Sequence, residues 1–171
     1  MSMICVANVQ AVLDTQTYGF YNITNNSSVN AATGQSQLLV EVSNEGTTLI
    51  GFKFINEGPA DCAITEIYFQ GGSILGFASI NESLSGVDFK EDEVGDVSPK
   101  NLPGGKSIDP QFIATTGFSI EPLNPEPTWG VEPSEWVKIV YSLQPGKTRA
   151  EMQNQAPLHL RLWAAPGTSW K

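Results

Sequence analysis

Five carboxylates, Asp88, Glu91, Asp92, Glu93 and Asp96, fall within nine residues of this chain. Calcium takes roughly six to eight oxygen ligands, and a loop crowded with carboxylates supplies several of them at once. These five residues are therefore the candidate calcium site, although their spacing matches no EF-hand loop. A second group sets acids beside indoles: Glu121, Glu126, Glu132 and Glu135 surround Trp129 and Trp136. Indole rings bury well against the flat faces of sugars and equally well inside a protein. Trp129 and Glu132 are the candidate carbohydrate contacts, while Trp136 is expected in the core. Glycoside hydrolysis needs two acids set across a cleft. Among 18 acidic residues some pair meets that spacing by chance.

The single histidine, His159, lies in the alternating run Leu158-His159-Leu160-Arg161-Leu162, which places it beside Arg161 on one face of a strand. No Gly-x-Ser-x-Gly turn accompanies it, so a nucleophile elbow is lacking and no enzymatic activity is expected. The two cysteines, Cys5 and Cys62, are too far apart in sequence for a CxxC metal or redox motif. They either pair, if their segments lie side by side, or leave Cys62 as an inert buried thiol.

The elements that must position these residues read as strands. Leu38, Val40 and Val42 share one face of a strand over residues 37–43; Ile50, Phe52 and Phe54 share one face over 48–56. Asn44-Glu45-Gly46 and a break over 57–61 bound them. Strands follow over 63–70, 73–80 and 111–121, with looser alternation over 12–24. Trp136, Lys138, Val140 and Ser142 oppose Val137, Ile139, Tyr141 and Leu143 over 136–143, before the turn Gln144-Pro145-Gly146-Lys147. Residues 25–36 read as a polar loop, 81–108 as a long surface loop with at most one short strand, and 122–133 as a proline-rich loop. One short helix is expected over 148–155 and a last strand over 158–163. The fold class is all-β: a two-sheet antiparallel β-sandwich, jelly-roll-like, with at most one short helix.

A chain of 171 residues fits one domain, here 12–171. Residues 1–11 read as either a signal-peptide remnant or an N-terminal strand, since Ile4, Cys5, Val6, Ala7 and Val9 form a short apolar run before Gln10-Ala11. No run reaches the roughly 20 apolar residues of a membrane helix, so no membrane insertion is expected. The net charge is −9 with nine scattered basic residues, which argues against nucleic acid as a partner.

Several segments resemble secreted bacterial surface proteins of the exosortase-sorted, PEP-CTERM-like class. They are Ile64-Thr65-Glu66-Ile67-Tyr68-Phe69 followed by Gly71-Gly72-Ser73; Asn101-Leu102-Pro103-Gly104-Gly105; Gly117-Phe118-Ser119; Gly130-Val131 with Pro133, Glu135 and Trp136; and Leu143-Gln144-Pro145-Gly146-Lys147-Thr148. Their order and spacing match over residues 36–163. Gln70 departs from the class, which often carries aspartates after the Tyr-Phe pair, and the C-terminal sorting motif of that class is not seen. The resemblance implies an exported β-sandwich, extracellular or at the cell surface, with no known activity. The expected function is a non-enzymatic structural or surface protein that self-assembles through terminal strands, its partner being itself. The alternative is a carbohydrate- or calcium-binding module, with glycans as partners and calcium as the ligand.

Overall fold

The computed structural model describes residues 15–23, 27–70, 75–83, 86–91, 111–120 and 129–146. Its elements in chain order are β1 (Thr15–Gly19), α1 (Ser28–Gln37), β2 (Leu38–Asn44), β3 (Leu49–Asn56), β4 (Glu66–Phe69), β5 (Leu75–Glu82), β6 (Phe89–Glu91), β7 (Thr116–Ile120) and β8 (Trp136–Leu143). They form two antiparallel sheets, one of five strands in the order β1-β2-β3-β8-β5 and one of three in the order β4-β7-β6. The chain changes sheet between β3 and β4, β4 and β5, β5 and β6, and β7 and β8. The larger sheet thus adds β8 and β5 to the consecutive strands β1, β2 and β3, and the smaller sets β7 between β4 and β6.

Alternation explains the layering. Side chains at every second residue point to one face of a strand. Leu38 and Val40, then Ile50, Phe52 and Phe54, then Val137, Ile139, Tyr141 and Leu143 are all buried and line the inner face of the larger sheet. Ile67, Phe69, Phe89, Phe118 and Ile120 answer from the smaller sheet. Phe69 meets Phe52, Phe54, Phe118 and Tyr141 with ring centroids 5.0–6.0 Å apart and planes near perpendicular. Those contacts set β4 against β3. Phe118 meets Phe77 and Tyr141, which sets β7 against β5 and β8.

The outer face of the larger sheet carries a polar row among apolar neighbours such as Leu39, Ile55 and Val140. A single register row runs Thr17, Glu41, Lys53, Lys138, Asn81 across all five strands. Lys53 and Lys138 stand directly opposite, an arrangement that repels. Glutamates offset it: Glu41 Oε2 lies 3.8 Å from Lys53 Nζ, and Glu45 Oε1 accepts from Lys138 Nζ at 2.9 Å. Glu45 reaches that far because residue 51 is glycine; a Cβ there would come within 2.7 Å of Glu45 Oε1. Hydrogen bonds from Ser43 and then Lys138 hold the Glu45 carboxyl below its ordinary range. A lowered acid favours the fold above its unfolded value and loses that contribution as the pH falls below it.

Two readings of the sequence need correction. Residues 28–37 are helix, not loop. Ser27 caps α1, its Oγ accepting from the Asn30 amide at 3.3 Å, and a capped end offsets otherwise weak helix formers. Trp136 is not in the core. It sits on the outer face of β8, half-buried, with Lys53 Nζ 5.0 Å from the ring centroid, a cation over an indole. The expectations for residues 1–11, the helix over 148–155, the strand over 158–163 and His159 lie outside the described residues.

Candidate functional site

The candidate site is the lateral rim of the sandwich along β5. Residues 75–81 run Leu-Gly-Phe-Ala-Ser-Ile-Asn without a charge or a proline, the composition of a strand rather than a loop. β5 pairs with β8, Leu75 opposite Leu143 through Glu82 opposite Val137, with one bulge between Phe77 and Ser79. Among the described residues it pairs with no other strand and stands last in the larger sheet. The inward position of Phe77, opposite Tyr141, turns its ring under the rim, where Phe118 lies 5.4 Å away. Phe77 is nevertheless 38% exposed, a large apolar ring at an edge. At the far end of the strand, Glu82 Oε1 accepts from the Phe89 amide at 2.7 Å and ties β5 to β6.

Behind Phe77 stands Tyr141, its ring centroid 6.4 Å away. Tyr141 is buried, and its hydroxyl makes no hydrogen bond. Burial drives that phenol well above its ordinary range; Thr116 nearby eases the shift without the geometry of a hydrogen bond, and the Glu91 charge adds to it. Burial likewise raises the Glu91 carboxyl.

The candidate calcium ligands divide. Asp88 is half-buried and Glu91 is exposed at the end of β6; Asp92, Glu93 and Asp96 lie outside the described residues. Among the described residues no three His, Cys, Asp or Glu side chains converge on a point that holds a metal ion. The candidate carbohydrate contacts are close in space to the start of that loop. The Asp88 amide donates to the Trp129 carbonyl at 3.0 Å. The Trp129 ring is partly buried against the core. Val131 bridges to Ile64 by paired backbone hydrogen bonds, and Glu132 follows with its amide donating to Glu135 Oε2 at 2.9 Å.

Burial first, then the charges of Glu135 and Asp61, raise the Glu132 carboxyl. The sign follows directly. An acid whose folded value lies above its unfolded value disfavours the fold once both states ionise, and the penalty vanishes at low pH. Glu132→Gln is therefore expected to raise the melting temperature at pH 7 by on the order of 1 °C. It should leave the melting temperature unchanged near pH 3. Thermal melts of both proteins across that range check it.

A buried polar hub escaped the sequence reading. Gln37 and Asn56 are almost fully buried. Gln37 Nε2 lies 2.8 Å from Asn56 Oδ1, 2.8 Å from the Ala60 carbonyl and 2.9 Å from Cys62 Sγ. An amide has only two hydrogens, so the oxygens take them and the sulfur packs alongside. Asn56 Nδ2 donates to the Cys62 carbonyl at 2.7 Å and the Val131 carbonyl at 3.2 Å, and its Oδ1 accepts from the Gly58 amide at 3.0 Å. Cys62 holds a free, buried thiol, and burial pushes it above the ordinary thiol range. A thiol so placed is not a nucleophile. One signal was available: Asn56 continues the inward series of Ile50, Phe52 and Phe54, a polar residue at a core position.

No family model, curated protein or solved structure matches this chain.

Proposed function

We propose that the protein is a non-enzymatic structural or cell-surface protein of the extracellular space, which self-associates by strand addition at the rim of its larger sheet. The single observation behind this reading is β5, seven uncharged, proline-free residues at the end of a sheet with Phe77 exposed. A strand at a sheet edge presents amides and carbonyls to any chain that can pair with them. The resemblance to exported surface proteins supports the location. Sedimentation of the full chain over a concentration series tests the reading: association is expected, and a chain that stays monomeric to roughly 100 µM contradicts it.

A second reading, a carbohydrate- or calcium-binding module, is favoured by the contact that joins Asp88 to Trp129. Extracellular calcium sites work at roughly 1 mM, so calcium at that level should then shift the melting temperature and the Trp129 fluorescence. No shift removes it.

A further inference from the structure

We infer that the unit of association is a two-fold dimer in which β5 of one copy pairs antiparallel with β5 of a second, joining two five-stranded sheets edge to edge. This rests on the self-association reading and names the edge, the partner and the symmetry.

The strands that end the two sheets differ in length and charge. β6 is three residues long and carries Lys90 and Glu91; β4 is four residues long and opens on Glu66. Short, charged strands are guarded edges. β5 has eight residues, and its charge is confined to Glu82 at one end, where the carboxylate is already engaged by β6. Its bulge is a guard of a kind, yet regular pairing resumes at Ser79 and continues to Glu82. β1, at the other end of the larger sheet, is also uncharged but has five residues and exposes no large apolar ring.

Strand direction also favours self-pairing of β5. Four successive antiparallel pairings, β1 with β2, β2 with β3, β3 with β8 and β8 with β5, leave β1 and β5 pointing the same way. A head-to-tail chain of copies, β5 against the next β1 in one continuing sheet, would need a parallel ladder, which is slightly weaker per residue. Two copies of β5 related by a two-fold axis are antiparallel by symmetry, and the contact closes on itself.

Side-chain placement fits the same symmetry. With the axis normal to the sheet, the inner faces of both copies stay on one side. Both Phe77 rings then lie beneath the joined sheet at its seam, where each is covered. The two Glu82 residues fall at opposite ends of the new ladder, so like charges do not meet.

Sedimentation velocity on three full-length chains tests this: the wild type, Ser79→Lys on the outer face of β5, and Thr17→Lys on the outer face of β1, opposite Glu41. Circular dichroism melts confirm that each is folded. The expected result is a wild-type species that saturates at two copies, a weakening of about tenfold or more for Ser79→Lys, and no change for Thr17→Lys. Should Thr17→Lys dissociate the assembly, or Ser79→Lys leave it intact, β5 self-pairing is wrong while self-association stands. Growth beyond two copies likewise overturns the closed dimer alone. A wild-type monomer at every concentration overturns both.

Discussion

Asn56→Ala is expected to lower the stability of the fold by about 3–5 kcal/mol, near the upper limit for a single substitution. The side chain is fully buried and serves four partners: the Gln37 amide, the Gly58 amide, and the carbonyls of Cys62 and Val131. Truncation leaves all four inside the protein without that partner; the Val131 carbonyl keeps the Ile64 amide and the Gln37 amide keeps the Ala60 carbonyl, while the Gly58 amide and the Cys62 carbonyl lose theirs at about 1–3 kcal/mol each, less whatever a trapped water restores. The same residue anchors the turn before β8 through its backbone as well, its amide donating to the Glu135 carbonyl at 3.1 Å and its carbonyl accepting from the Ser134 amide at 2.7 Å. Denaturant titration measures the loss, and a melting temperature lowered by roughly 10 °C accompanies it. Asn56→Asp should be no milder, because a carboxylate has no hydrogens for the two carbonyls. Gln37→Ala combined with Asn56→Ala should cost less than the sum of the two, since both act on one network. Asn81→Ala, on the exposed face of β5, should change stability by less than about 0.5 kcal/mol.

Phe69→Ala is the second large effect, at about 3–5 kcal/mol. Its ring is buried on the three-stranded sheet and touches Phe52, Phe54 and Tyr141 of the five-stranded sheet. The side chain is therefore the centre of the contact between the layers. Removing it opens a cavity lined by rings that cannot collapse far, because each is held by its own strand. Phe69→Leu refills most of that volume and should recover more than half of the loss. Phe77→Ala provides the contrast. Its ring also meets Phe118 and Tyr141, but it is partly in water and has less to lose in the monomer. The expected cost is about 1 kcal/mol in stability, together with a clear loss of association. A core residue and a rim residue of the same type would thus separate folding from assembly.

Much of the sandwich was legible because the inner face of its central strands is apolar at every second residue, although Val140 is buried on the opposite face of β8. The runs Leu38–Asn44, Leu49–Asn56 and Trp136–Leu143 alternate cleanly, and the structure places them within one residue of the expected bounds. β4 lies inside the strand expected over 63–70 but is shorter; Ile67, Tyr68 and Phe69 are all buried, so both faces of this strand are covered and alternation does not mark its bounds. α1 was invisible for a different reason: only Gln37 of its residues is buried, so no apolar stripe repeats at helical spacing, and its composition of Asn, Ser, Thr and Gly suits turns. Trp136 shows the limit of residue-type reasoning. Alternation placed it on the face opposite Val137 and Ile139, and the large ring was assigned to the core despite that. The rim at β5 could not be found from sequence, since being last in a sheet is a property of topology. Its lack of charge was visible, but the same is true of buried strands.

Amide hydrogen exchange along β5, followed as protein concentration rises, tests strand addition most directly. Those amides of residues 75–82 that do not bond to β8 are expected to slow with concentration, while amides of β3 and α1 keep their rates. Exchange in β5 that stays the same while the protein associates would contradict the account, because the copies would then be meeting somewhere else.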